Sequence, residues 1–152
     1  MVLLSYFQGI DPAAAVIKDG KVVAYVEEER LIRFKHAANM FPIRSIAACL
    51  DIAGITLDDV DEVVYGWDAH RYADGGMAAF YADVNEHYPP DPGTLAWQGS
   101  CLRQFTPDSL RQRLTDELVP FFGIPPDKVP PMTYYPHHKS HAAAAFHLSP
   151  AE

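Results

Sequence analysis

The chain has 152 residues, 49% of them hydrophobic, which is enough for one domain with a real core. Its 12 basic and 20 acidic residues give a formal charge of -8, which argues against a general nucleic-acid-binding surface. Two cysteines, Cys49 and Cys101, are too few for a disulfide framework, no basic-then-apolar leader opens the chain, and no apolar run approaches membrane-spanning length; a cytoplasmic protein with neither nucleic-acid nor membrane partners is expected.

Residues 2–8 read as a buried strand, Gly9-Ile10-Asp11-Pro12 as a turn and residues 13–18 as a second strand. Asp19-Gly20 is a two-residue hairpin signal, and residues 21–27 form the third strand. The first turn places Asp11 and the neighbouring backbone N–H groups at the sheet's edge, where a ligand could sit. The run from Glu27 to His36 then passes from acidic to basic. As a bare charge run it is an ordinary solvated face. Directly after a buried strand, it also offers Arg33, Lys35 and His36 as donors to a phosphate or carboxylate.

Phe41-Pro42 opens an amphipathic helix. Ile43, Ile46, Ala47, Leu50 and Ala53 form its apolar stripe, Cys49 is a reduced core residue on that face, and Gly54 is the C-cap. Thr56-Leu57-Asp58-Asp59 makes a further cap, and residues 60–67 make the fourth strand. From 68 to 105 the periodicity dissolves, as in an insertion or lid. A short helix over 78–87 and a loop over 88–93 are all it suggests. Its aromatics Tyr72, Phe80, Tyr81, Tyr88 and Trp97 fit a small satellite core as well as a ligand surface. Thr106-Pro107 caps another helix, with Leu110, Leu114, Leu118 and Phe121 on one face and Gly123 at its end. A Pro-rich turn and a short strand over 130–135 follow.

That strand feeds Pro136-His137-His138-Lys139-Ser140-His141 and four alanines, a helix that begins at its histidines. His137 and His141 are one turn apart on one face and can reach a single metal ion, Zn or Fe(II) by ligand type. His138 and His141 are a second possible pair, and spacing alone does not choose between them. The bland counterpart is a solvated, His-rich helix start. Against it stand the clustering of three of the seven histidines within five residues, the strand before them, and the small residues after them, which suit close packing. Two histidines do not complete a coordination sphere. With the sequence stopping about a turn later, the chain is expected to be the N-terminal part of a longer protein.

The order β-β-β-α-β-insert-α-β-α is an α/β arrangement: a mixed sheet flanked by helices. It fits the first half of an actin-like domain of the sugar-kinase and Hsp70 type.

Asp11-Pro12-Ala13-Ala14-Ala15, the run from Glu27 to His36, the Phe41-Pro42 helix start and His137-His138-Lys139-Ser140-His141-Ala142-Ala143 occur in this order in one family. Together they resemble the N-terminal domain of the O-carbamoyltransferases of antibiotic tailoring and nodulation-factor modification. That family is related to the tRNA threonylcarbamoyl transferases, which share the HxxxH motif. The resemblance covers nearly all of the chain except the insert. It implies an enzyme in which a further domain makes carbamoyl adenylate from ATP and carbamoyl phosphate. The actin-like domain then passes the carbamoyl group to a small-molecule hydroxyl at an iron site. By position, His137 and His141 would be metal ligands, completed by aspartates from the rest of the polypeptide or a partner chain. Asp11 would line the acceptor and carbamoyl site, and Lys35, with Arg33 beside it, would face the donor. One position departs: the family commonly has histidine before the aspartate of the first turn, and this chain has Ile10. The base role then passes to Asp11 or His138, or the acceptor is activated in another way.

Three other classes compete. An actin-like kinase or ATPase calls for more glycine than the Pro12-stiffened first turn offers. A metal-binding or assembly module would bind without turnover. A threonylcarbamoyl-tRNA enzyme shares the fold, but the negative charge weighs against it.

Overall fold

Val2–Phe7 (β1), Ala13–Lys18 (β2) and Lys21–Glu27 (β3) are strands because apolar residues recur at every second position. Leu4 and Tyr6 of β1, Ala14 and Val16 of β2 and Ala24 of β3 are buried. Asp19 and Gly20 join β2 to β3 with φ of 50° and 78°, the pair of left-handed conformations that a tight type I′ hairpin requires. The computed structural model describes residues 1–148, and residues 149–152, the stop after the histidine helix, lie outside the described residues.

Two compact units are present: residues 1–66 with 115–135, and residues 67–114 with the chain from 136 onward. The first holds the sheet. β1 and β2 are antiparallel, as are β2 and β3; Glu62–Tyr65 (β4) runs parallel to β1, and Met132–Tyr134 (β5) parallel to β4. The strand order is β3-β2-β1-β4-β5. This is the mixed α/β sheet that the order of elements predicts. Both β4 and β5 are shorter than the sequence suggests.

Ile43–Ala53 (α2) packs on β2 and β3 through Ile46, Cys49 and Leu50. Gly54, at φ 64°, and Ile55 return their N–H groups to the last carbonyls, a Schellman ending. Cys49 is wholly buried, donates to the Ala14 carbonyl at 3.3 Å, and burial pushes its thiol up to about 11. That is a reduced, unreactive core cysteine. Tyr6 packs its ring on Phe41 and Tyr65 at 5.0 and 4.9 Å.

The helix opens after Phe41-Pro42 as expected, and its N-terminus gains an acceptor that the sequence does not signal. Pro42 offers no side-chain cap, and the carboxylate of Glu28 does the work instead. It accepts from Ser45 N and Ser45 Oγ, both at 2.7 Å, and from Arg44 N at 3.4 Å. Glu28 opens the short helix Glu28–Ile32 (α1) and is only 2% exposed, so the charge run is not simply a solvated face. Glu28→Ala is expected to cost about 2–4 kcal/mol of stability, because buried donors lose a charged acceptor. Urea unfolding checks this, and Glu28→Gln should lose less.

The second unit is helical. Its helices are His70–Ala73 (α3), Gly76–His87 (α4), Pro92–Gln104 (α5), the start of Pro107–Phe122 (α6), and His137–Leu148 (α7). α4 matches the short helix expected in the insert, but α5 was not foreseen. Asp91 caps it, accepting from Gly93 N at 2.7 Å, Thr94 N at 3.0 Å and Thr94 Oγ1 at 2.8 Å, with Pro92 at the first position. Those bonds, the Thr94 hydroxyl foremost, hold the Asp91 carboxyl below its usual range. Asn85 on α4 and Gln98 on α5 exchange two amide hydrogen bonds, at 2.8 and 3.0 Å. Burial raises the Tyr81 hydroxyl, which lies near Tyr72 and Cys101. On α6, Leu110, Leu114 and Leu118 are buried, but Phe121 is 49% exposed. The buried series advances by four, and the next step reaches Phe122, which is half-buried, rather than Phe121.

Candidate functional site

The histidine helix forms where the sequence places it, with His137 at its first position after Pro136. The chain brings His137 and His141 together: their Nε2 atoms are 3.0 Å apart and their ring centroids 4.5 Å. His138 turns away, meeting only the edge of His137 at 5.8 Å, so the first of the two possible pairs is the one that faces inward on itself. The His137 backbone N–H donates to Asp68 Oδ2 at 3.3 Å, and its ring stands edge-on to Trp67 at 4.8 Å. These contacts orient the first histidine. The alanines at 142–145 are exposed, so the close packing expected of them is not seen among the described residues.

The pair fits part of a metal set. Two imidazole nitrogens this close could hold one divalent ion between them, as Zn and Fe(II) sites use such ligands. Among the described residues no third His, Cys, Asp or Glu atom joins them within 4.8 Å. Beside the pair lies a cavity of about 320 Å³, lined by Trp67, Asp68, Arg71, Tyr72, Met77, Phe80, His137 and His138.

The other expected residues gather in the sheet-bearing unit. Asp11 sits in the left-handed region at φ 60°, and its N–H donates to the His36 carbonyl at 3.2 Å. Its Oδ1 lies 2.8 Å from His36 Nδ1, while the His36 N–H donates to Glu29 Oε2 at 2.7 Å. Asp11, Glu29 and His36 thus bring ligand-type atoms within 4.8 Å of one another, a closeness their own hydrogen bonds account for. Arg33 and Lys35 line an open cleft of about 480 Å³ with Glu29 and Arg30. Arg30 is engaged by Glu27 at 3.0 Å and Glu29 at 3.4 Å. Ile10, at the position where the resemblance has histidine, is 72% exposed.

The loop that carries these groups is conformationally costly. Asp11, Arg33, His36, Ala37 and Asn39 are all non-glycine residues with positive φ. Each such residue costs on the order of 1 kcal/mol or more, and such costs concentrate at functional sites. The Asn39 N–H to Gly9 carbonyl bond at 2.8 Å and the Asp11–His36 bonds tie this loop to the first turn. The sequence named His36 only as an anion donor; its pairing with Asp11 spans 25 residues and no local spacing signals it.

A profile of the family described as "Carbamoyltransferase N-terminus" matches residues 4–152. The chain belongs to the carbamoyltransferase N-terminus family. This carbamoyltransferase N-terminus is 30% identical over 139 residues to nodulation protein NolNO of Sinorhizobium fredii, covering 91% of this chain and 18% of that protein. It is 34% identical over 151 residues to the uncharacterized protein sll1178 of Synechocystis sp., covering 92% of this chain and 22% of that one. The chain therefore spans about a fifth of the length of these two relatives. Among solved structures, YeaZ from Pseudomonas aeruginosa is similar over 43% of this chain and 30% of its own, at 19% identity and a TM-score of 0.31. No helix among the described residues is long and apolar enough to cross a membrane.

Proposed function

We infer that this carbamoyltransferase N-terminus belongs to an enzyme that moves a carbamoyl group onto a small-molecule hydroxyl. The donor is carbamoyl adenylate, made from ATP and carbamoyl phosphate by another part of the polypeptide or a partner chain. The observation that carries this reading is the facing of His137 and His141 Nε2 atoms at 3.0 Å beside a cavity, in a chain of this family. A divalent metal held by these two histidines and by ligands from elsewhere, Fe(II) before Zn, would supply Lewis-acid polarisation of the carbamoyl carbonyl.

The acceptor oxygen attacks the carbamoyl carbon, the bond from that carbon to the AMP oxygen breaks, and the hydroxyl proton passes to a base. Asp11 is the first candidate for that proton, with His138 the second. Asp11 also holds the Nδ1 of His36, so the pair can share the proton's charge. Lys35 and Arg33 bind and neutralise the donor's phosphate along their cleft.

The test uses the full-length protein with ATP, carbamoyl phosphate and a hydroxyl acceptor. AMP release with carbamoylated product is the expected result. ADP as the nucleotide product would indicate a kinase or ATPase, and metal binding without nucleotide turnover an assembly module; either refutes the reading.

A further inference from the structure

Positive φ at Arg33, His36, Ala37 and Asn39 makes the shape of this loop depend on what holds it from outside. His36 is held at three points. Its Nδ1 lies 2.8 Å from Asp11 Oδ1, its carbonyl accepts the Asp11 N–H at 3.2 Å, and its own N–H donates to Glu29 Oε2 at 2.7 Å. The first two bonds join loop and turn to each other; the third joins them to α1. We propose that Glu29 is a positioning residue for the transfer site: by accepting the His36 N–H it sets where the Asp11 carboxylate stands. The role of Asp11 rests on the carbamoyl-transfer reading, and the positioning rests on these bonds.

α1 is a firm base for such a device. Its first residue, Glu28, is buried, its N–H donates to the Pro12 carbonyl at 2.8 Å, and its carboxylate holds the start of α2 through Ser45. The helix thus reaches the first turn twice. It meets the backbone at Pro12 through Glu28, and the Asp11 side chain through Glu29 and His36. Glu29 suits the part. Its side chain is only 18% exposed, and a charged acceptor makes a stronger bond than a neutral one. Its other oxygen, Oε1, pairs with Arg30 at 3.4 Å. Arg30 is mostly exposed, so that pair contributes little, and the His36 bond decides where the carboxylate sits.

Loss of a bond that only stabilised the fold would lower stability and leave turnover by folded molecules as it was. Loss of a positioning bond frees Asp11 from its place, and a misplacement of about 1 Å costs about 10²-fold in rate. Substrate affinity gives a second distinction. Glu29 shares its cleft with Arg33 and Lys35, so removing its charge does not weaken the hold on an anionic donor there. The defect should lie in kcat and not in KM.

The test uses the full-length protein. Glu29→Ala should lower kcat for transfer about 10–100-fold, with both KM values within about twofold of wild type. Glu29→Gln, whose amide oxygen still accepts the His36 N–H, should recover most of that rate. Added to Asp11→Asn, Glu29→Ala should cost almost nothing more, because it acts through Asp11. Glu27→Gln, which loosens the other pair of Arg30, should change nothing. Full rate in Glu29→Ala, equal defects in the alanine and glutamine variants, or losses that multiply with Asp11→Asn overturn the proposal. Hydrogen exchange over residues 33–39 supplies a readout without turnover: faster in Glu29→Ala and near wild type in Glu29→Gln. Unchanged exchange in Glu29→Ala overturns the positioning whatever the reaction proves to be. Faster exchange in a protein that transfers no carbamoyl group leaves the positioning standing and strikes only the transferase reading.

Discussion

Replacing His137 and His141 together with alanine is expected to reduce the metal content of the full-length protein from about one ion per chain to background. Carbamoyl transfer should fall by about 10³-fold, the scale on which loss of carbonyl polarisation acts. Folding should survive, because alanine is the best helix former and the bond from the His137 backbone to Asp68 needs no imidazole. His141→Ala alone is the cleaner variant, since His141 is exposed and makes none of the contacts with Trp67 that hold His137. His138→Ala serves as comparator and should keep its metal. Elemental analysis of the purified variants decides the matter: undiminished metal in the double variant would remove both residues from the ligand set.

Asp11→Asn should be the second large effect. Asparagine tolerates the left-handed conformation that Asp11 adopts at φ 60°, and its side-chain oxygen can still accept from His36. The substitution therefore removes the proposed base and little else. Transfer to the acceptor is expected to drop by about 10²–10⁴-fold, with AMP formation from ATP and carbamoyl phosphate nearly unchanged. His36→Gln tells whether the proton stays on Asp11: a comparable drop means the two act as a unit, and a small one leaves Asp11 to act alone. Lys35→Met, which keeps most of the aliphatic stem but not the charge, should instead raise the donor concentration needed for half-maximal rate. If Asp11→Asn and Lys35→Met both stay within a few-fold of wild type, the turn and its cleft are structural features only.

Much of the sheet was legible because its signals are local. β2 and β3 have the limits read from alternation, with Asp19-Gly20 between them, and α2 ends at the glycine that its stripe leads to. The histidine helix was legible for the same reason, as Pro136 and the alanines act over one or two turns. What was not legible depends on partners far along the chain. Glu28 reads as one more carboxylate in a charge run until Ser45, 17 residues on, supplies its donors. The Asp11–His36 contact closes only when the strained loop folds back on the first turn. α5 escaped for another reason: two of its buried positions, Gln98 and Cys101, are not the large apolar residues that periodicity counts. Its Asp91-Pro92 start was a usable cap signal, masked by the prolines before it.

The paired amides of Asn85 and Gln98 bear on how such a domain can change over time. Each satisfies the other, so the crossing of α4 and α5 is fixed by a clasp that accepts no other register without leaving polar groups unpaired. Neither residue touches the cavity. Phe80, half exposed on α4, is thereby released from holding the helices together, whereas Tyr72 packs its ring on Trp67 and Phe105 at 6.5 and 5.5 Å; substitutions at Phe80 can alter what the cavity admits without loosening the scaffold around it. Divergence under selection, or directed evolution in the laboratory, has in this insert a surface it can rewrite at small structural risk.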